Sequence, residues 1–169
     1  MIDGSNFYFK LKDLGLAKSL NFDFGKFANL LAGDLKIVNK SYYVGKVRTD
    51  GSDKIQKLFD DQQKLLSKLT SSGWRYSLGY LMKNDGKVHE KGVDVSMAVD
   101  IVEMACKNKI DVFYLVSSDS DLLPAVKSAI RNGKQVVYVG FSHKPSLALV
   151  ANCTRSKLLE RSELEKLID

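Results

Sequence analysis

The chain has 169 residues, 44% hydrophobic and 27% charged, with a formal net charge of +6 and an isoelectric point near 9.2. One soluble domain spanning 1–169 is expected, and no apolar run approaches the ~18–20 residues of a membrane span. The basic balance suits a polyanion partner without demanding one. The start, Met-Ile-Asp-Gly-Ser-Asn, lacks a basic region followed by an apolar stretch, so no signal peptide is expected. Cys106 and Cys153 lack metal-ligand spacing and read as buried free thiols of a cytoplasmic protein.

In chain order, a very short first strand ends at Ile2, and a helix is expected over 6–14. A second helix over 23–31 stops at Gly33, and a strand follows over 40–44. After a polar loop over 45–53, Asp53 is placed to cap a helix over 54–69. Its apolar stripe is Ile55, Leu58, Phe59, Leu65, Leu66 and Leu69. Gly73 closes that helix. A strand over 74–82 then runs into an Asn84-Asp85-Gly86 turn.

The second half alternates more sharply. A helix over 95–107 precedes the apolar run 112–116. A helix over 122–131 precedes the run 135–139, and shorter helices are expected over 146–151 and 162–168. Strands apolar on both faces, alternating with helices, predict an α/β fold with a parallel sheet of about five or six strands between helical layers.

Ligands of open parallel sheets bind beyond the carboxyl ends of the strands. Asp3-Gly4-Ser5-Asn6 follows the first strand, and Ser117-Ser118-Asp119-Ser120-Asp121 follows the 112–116 run. Lys91-Gly92-Val93-Asp94 stands before a helix. Three acidic clusters on one rim repel one another unless a hard, oxygen-seeking cation such as Mg²⁺ joins them. Each member also has a plainer reading. Asp3 turns the chain, while Asn6 and Asp94 cap helices, and Asp119 or Asp121 caps the helix that Pro124 begins. Asp100 shares a stripe with Ser96, Glu103 and Lys107, so solvent is its default. A dinucleotide glycine loop, a phosphate-binding Gly-Lys-Ser/Thr loop and a serine nucleophile elbow are all missing. His89 and His143 have no partners at ligand spacing.

Together the three segments, read as Asp-Gly-Ser-Asn at 3–6, Lys-Gly-Val-Asp-Val at 91–95 and Val-Ser-Ser-Asp-Ser-Asp-Leu-Leu-Pro at 116–124, resemble the signatures of NYN domains. The nearest branch is the LabA-like, DUF88 group of the PIN-like nuclease superfamily. The resemblance runs from Asp3 to about Asn152. It implies a three-layer Rossmann-like fold and a ribonuclease site holding Mg²⁺ or Mn²⁺. Asp3, Asp94 and Asp119 match the metal positions, Asn6 the polar partner, and Asp121 a further acidic position. Asp100 falls where many relatives carry Asp, and Ser117 and Ser118 line the pocket. Relatives carry more apolar residues before the first segment, where this sequence has only Met1 and Ile2.

The residues by themselves point to a hard cation acting at a phosphate; the resemblance implies hydrolysis of RNA, single-stranded by preference, with Lys46, Arg48 and Lys91 holding phosphates. Tyr42 and Tyr43 beside Lys46 and Arg48 give charge interleaved with aromatics, although a solvated loop next to core-facing tyrosines reads equally well. A binding module without turnover, and a phosphatase for small phosphoesters, are the alternatives.

Overall fold

The two apolar runs are strands, and the rest of the sheet assembles around them. The structure is a computed structural model describing residues 1–16, 19–49, 51–84, 87–108 and 110–168; residues 19, 81–84 and 87–90 are described by their backbone alone. In chain order come β1 (Ile2–Asp3), α1 (Gly4–Asp13), α2 (Phe24–Ala32), β2 (Ser41–Gly45), α3 (Asp53–Ser71), β3 (Arg75–Asn84), β4 (Lys87–Lys91) and α4 (Val93–Cys106). Then follow β5 (Val112–Leu115), α5 (Leu123–Arg131), β6 (Gln135–Phe141), α6 (Leu147–Asn152), β7 (Arg155–Leu159) and α7 (Arg161–Glu165). Short 3₁₀ turns occupy Ser19–Asn21 and Ser120–Leu122.

The strands pair in the orders β1-β2-β3-β4 and β5-β6-β7. A parallel bridge between Ile2 and Val116 joins the two groups. There the Asp3 N–H donates to the Val116 carbonyl at 3.0 Å, and the Val116 N–H donates to the Met1 carbonyl at 3.0 Å. β1 is therefore central. Every pairing is parallel except the β3–β4 hairpin. The chain leaves β1 toward β2 on one side, and β5 lies on the other. That reversal is the topological switch point at which α/β sheets open a cleft.

The pleat sends alternate side chains to opposite faces, and each face builds its own core. Phe7, Leu11, Phe24, Phe27, Leu66, Leu69 and Leu164 from α1, α2, α3 and α7 cover one face, against Ile2, Tyr42, Val139 and Phe141. Val93, Met97, Ile101, Val126, Ala129 and Leu149 from α4, α5 and α6 cover the other, against Tyr43, Phe113, Leu115 and Tyr138. Three layers result, as the alternation predicts. Gly4 admits the Tyr42 ring, because a Cβ there would sit 2.4 Å from the ring. The first residue after Asp3 has to be this small for α1 to seat on the sheet.

The structure corrects several boundaries. There are seven strands among the described residues, not five or six. The two that periodicity misses, β4 and β7, are edge strands of sequence Lys-Val-His-Glu-Lys and Arg-Ser-Lys-Leu-Leu. Charged edges protect a sheet from pairing with other chains, and they leave no apolar run to read. α4 begins two residues early, at Val93, with Gly92 as its N-cap at φ 81°. Asp94 thus lies inside the first turn and is not the cap. Ser52, not Asp53, occupies the N-cap of α3. Cys106 is exposed and Cys153 half-buried, so neither is the fully buried thiol expected. The expected turn at Asp85 and Gly86 lies outside the described residues.

Beneath Met1, at the end of the sheet away from Asp3, an apolar cavity of about 390 Å³ separates the approach to β2 from the start of β5. β1 is only two residues long; β5 lies below its Ile2–Val116 bridge, while β2 begins at Ser41, one residue before the partner of Ile2. No described helix is long and apolar enough to cross a membrane.

Candidate functional site

At the switch point the carboxyl ends of β1 and β5 lie side by side, and hydrogen bonds tie together the residues that follow them. The Asp3 carboxylate caps α1: its Oδ1 accepts from the Asn6 N–H at 3.0 Å. Its Oδ2 accepts from the Ser117 hydroxyl at 2.9 Å. That same hydroxyl oxygen accepts from the Asp119 N–H at 3.1 Å. Ser117 is 2% exposed, so a single buried hydroxyl couples the two acidic segments. The Asn6 side-chain carbonyl accepts from the Ser118 N–H at 3.1 Å, which pins the loop after β5 to α1. Asp119 Oδ1 accepts from the Asp121 N–H at 2.9 Å and caps the 3₁₀ turn that leads into α5.

Asp3 does more than turn the chain, since it is the N-cap of α1, and Asp119 caps the 3₁₀ turn rather than α5 itself, whose N-cap is Leu122. Capping does not compete with a place on the rim, because a carboxylate offers about four lone-pair sites. Asn6, by contrast, is no cap: it lies within the first turn of α1 and uses its side chain across the site. Asp121 is exposed at the mouth of the same loop.

Asp94 reaches this rim by another route. β2 and β3 stay in register to Gly45 and Gly79, and Tyr80 pairs with Lys91 across the hairpin. The chain then turns at Gly92 into α4, where Asp94 is exposed in the first turn. A negative charge there is favourable beside the positive end of the helix dipole. Lys46, Arg48 and Lys91 are exposed near the ends of β2 and β4. The Lys46 N–H donates to the Gly79 carbonyl at 3.1 Å, which sets the β2 exit against β3. Tyr42 and Tyr43 are 2% and 0% exposed. They belong to the two cores, so they do not supply the aromatic interleaving expected beside Lys46 and Arg48.

Asp100 departs from its solvent default. The buried Tyr43 hydroxyl donates to its Oδ2 at 2.7 Å. Burial, with the Asp100 carboxylate beside it, pushes the Tyr43 phenol well above its ordinary range. Periodicity cannot reveal this pair, because the partners lie on different elements 57 positions apart. Tyr138 is also missed by sequence reasoning. Its hydroxyl accepts from the Ser146 N–H at 2.8 Å and lies 3.3 Å from the Ser118 hydroxyl, so β6 props the loop after β5. The one available signal is a tyrosine inside an apolar run, since a buried phenol needs a partner.

The donor set suits a hard cation. It is all oxygen, and it stands where two strands diverge. Yet among the described residues no three His, Cys, Asp or Glu side chains gather closely enough to hold a metal by themselves. Mg²⁺ is commonly held through one or two carboxylates, with waters and substrate phosphates completing its shell. Asp3 and Asp119, joined through Ser117, fit that kind of site, and Asp94 stands on the same rim.

Comparisons with known proteins agree with this architecture. An uncharacterized protein of Methanocaldococcus jannaschii is 28% identical over 172 residues, covering 98% of this chain; the chain spans 59% of that protein's length. A crystal structure of a Vibrio parahaemolyticus protein of unknown function superposes with a TM-score of 0.70 at 22% identity. That match covers 95% of this chain and 90% of the other, and shows a shared fold. The NYN domain model matches residues 1–160. The chain belongs to the NYN domain family, within the PIN-like superfamily of nucleases that generally depend on divalent metals.

Proposed function

We propose that this chain is a metal-dependent ribonuclease of the LabA-like, DUF88 branch, a single cytoplasmic domain acting on single-stranded RNA. The observation that carries the reading is the Ser117 hydroxyl, held between Asp3 and Asp119 at the switch point of the sheet. In this reading Asp3, Asp94 and Asp119 hold Mg²⁺ or Mn²⁺. Such an ion, when bound, supplies an activated water and offsets charge developing on the scissile phosphate. The chain's own part is positioning. Ser117 keeps Asp3 and Asp119 in fixed relation. Asn6, through Ser118, holds the loop after β5 against α1. Asp121 borders the mouth, while Lys46, Arg48 and Lys91 attract the phosphate backbone.

A second reading has one observation in its favour: three carboxylates do not converge in the protein alone. A binding module that keeps the fold without turnover would look the same. Asp119→Asn separates the two, since it removes a ligand charge with little change of shape. We expect metal-dependent cleavage of labelled single-stranded RNA to fall by about 10²-fold or more, with RNA binding preserved. Wild-type protein that binds RNA and cleaves none with Mg²⁺ or Mn²⁺ would establish the binding module. Preferential cleavage of a small phosphoester would point to a phosphatase.

A further inference from the structure

Tyr80 is 68% exposed, against 45% for Tyr76 two pleats lower on the same face of β3. Among the described tyrosines, phenylalanines and tryptophan it is the most exposed. Three exposed cations stand near it, from β4 and from the exit of β2. Lys91 is its partner across the hairpin, and the Lys46 N–H is bonded to the carbonyl of the preceding Gly79. Arg48 lies two residues further along the β2 exit, exposed like both lysines. Gly92 follows Lys91 with φ +81°, and a Cβ built on it would stand 3.8 Å from Tyr80 Cδ2. The ring thus lies beside the turn that launches α4, two residues before Asp94.

An aromatic ring among exposed cations matches the two needs of a single-stranded nucleic acid. Bases stack on the ring without regard to sequence, and phosphates pair with the cations. A duplex keeps its bases stacked within itself and offers the ring nothing. We propose that Tyr80 is a base-stacking residue of this protein: it receives an unstacked base of single-stranded RNA, with Lys91 and Lys46 on the flanking phosphates. The strand is thereby led from the β3–β4 hairpin past the start of α4 toward the Asp3–Asp119 rim. The inference rests on the ribonuclease reading for its partner. It adds a residue that the sequence motifs do not contain, and a reason for preferring unpaired strands.

The test measures anisotropy of a short fluorescein-labelled single-stranded RNA, with EDTA present so that no metal-dependent cleavage contributes. Tyr80→Ala is expected to raise Kd by about ten-fold or more, the loss typical of one stacked base. Tyr80→Phe should bind within about two-fold of wild type, since it keeps the ring. Tyr76→Ala, a tyrosine of the same strand and face lying farther from the cations, should leave Kd unchanged. Lys91→Ala should lower the slope of log Kd against log salt by about one, whereas Tyr80→Ala should leave that slope alone. Circular dichroism of each variant checks folding. The proposal is overturned if Tyr80→Ala binds like wild type, if Tyr80→Phe fails as badly as Tyr80→Ala, or if the wild-type chain binds no single-stranded RNA. Cleavage with Mg²⁺ is assayed separately. Binding that depends on Tyr80 without any cleavage would sustain the stacking site while refuting the ribonuclease.

Discussion

Tyr43 shows how much one hydroxyl does here. Its ring is fully buried beneath α4, and its phenol reaches Asp100 at 2.7 Å. Tyr43→Phe keeps the ring and removes the bond, so a loss of about 1 kcal/mol is expected, or about 2–4 °C in Tm for a chain of this size. The pH dependence has a definite sign. The folded chain holds the phenol proton more tightly than the unfolded chain does. The stability due to Tyr43 is therefore fully present below its unfolded value of about 10 and declines as pH rises beyond it. Urea titrations at about pH 9 and about pH 11 should show a smaller loss in Tyr43→Phe than in wild type. Equal losses would refute the coupling. Asp100 is thus an acceptor for the core, a role that its solvent-stripe spacing conceals.

Between elements, α4 approaches β3 near the site as tightly as α1 approaches β2. A Cβ on Gly79 would lie 2.4 Å from Val93 Cγ2 and 2.8 Å from the Lys91 carbonyl oxygen. Burial keeps the Val93 side chain from swinging away, and the carbonyl belongs to the backbone, so the whole turn has to move. Gly79→Ala is expected to cost about 1–3 kcal/mol and to shift the first turn of α4, with Asp94 on it. A thermal melt reads the first effect. Metal-dependent cleavage, falling further than the lost folded fraction explains, reads the second. A melt indistinguishable from wild type would show that α4 is not seated as described. The central strand shows a related economy of contact. β1 has only two residues, yet Asp3 is held by a ladder bond to Val116 and a side-chain bond from Ser117.

For the molecule as a whole, the test is linkage. A cation that binds the folded chain and not the unfolded one raises stability by RT ln(1 + [L]/Kd), about 2.7 kcal/mol at a hundred times Kd. Thermal scans with millimolar Mg²⁺ or Mn²⁺ should therefore show a higher Tm in wild type, and a smaller increase in Asp119→Asn and Asp3→Asn. No increase in wild type would count strongly against a metal site on this rim. The net charge of +6 acts at the same scale, drawing in RNA in a way that added salt weakens.

Much of this was legible in the order of residues. The runs at 112–116 and 135–139 read as buried parallel strands because both of their faces are apolar. The acidic segments at 3–6 and 116–124 read as neighbours because each follows a strand, and a strand's carboxyl end has a fixed place in such a sheet; the segment at 91–95 reads only as a helix start, because the strand before it is not visible in the pattern. Spacing carries no information about what meets across elements. That Ser117 stands between Asp3 and Asp119, that Tyr43 finds Asp100, that Tyr138 props Ser118 and that Tyr80 lies beside Gly92 were all decided by tertiary packing. Apart from the local bond between Ser117 and Asp119, these contacts join residues far apart in the chain, and only the closed sheet with its two helical layers fixes their distances. The edge strands β4 and β7 belong with them: their sequences are polar, and they become strands because a neighbour supplies the hydrogen-bonding partners their own pattern does not announce.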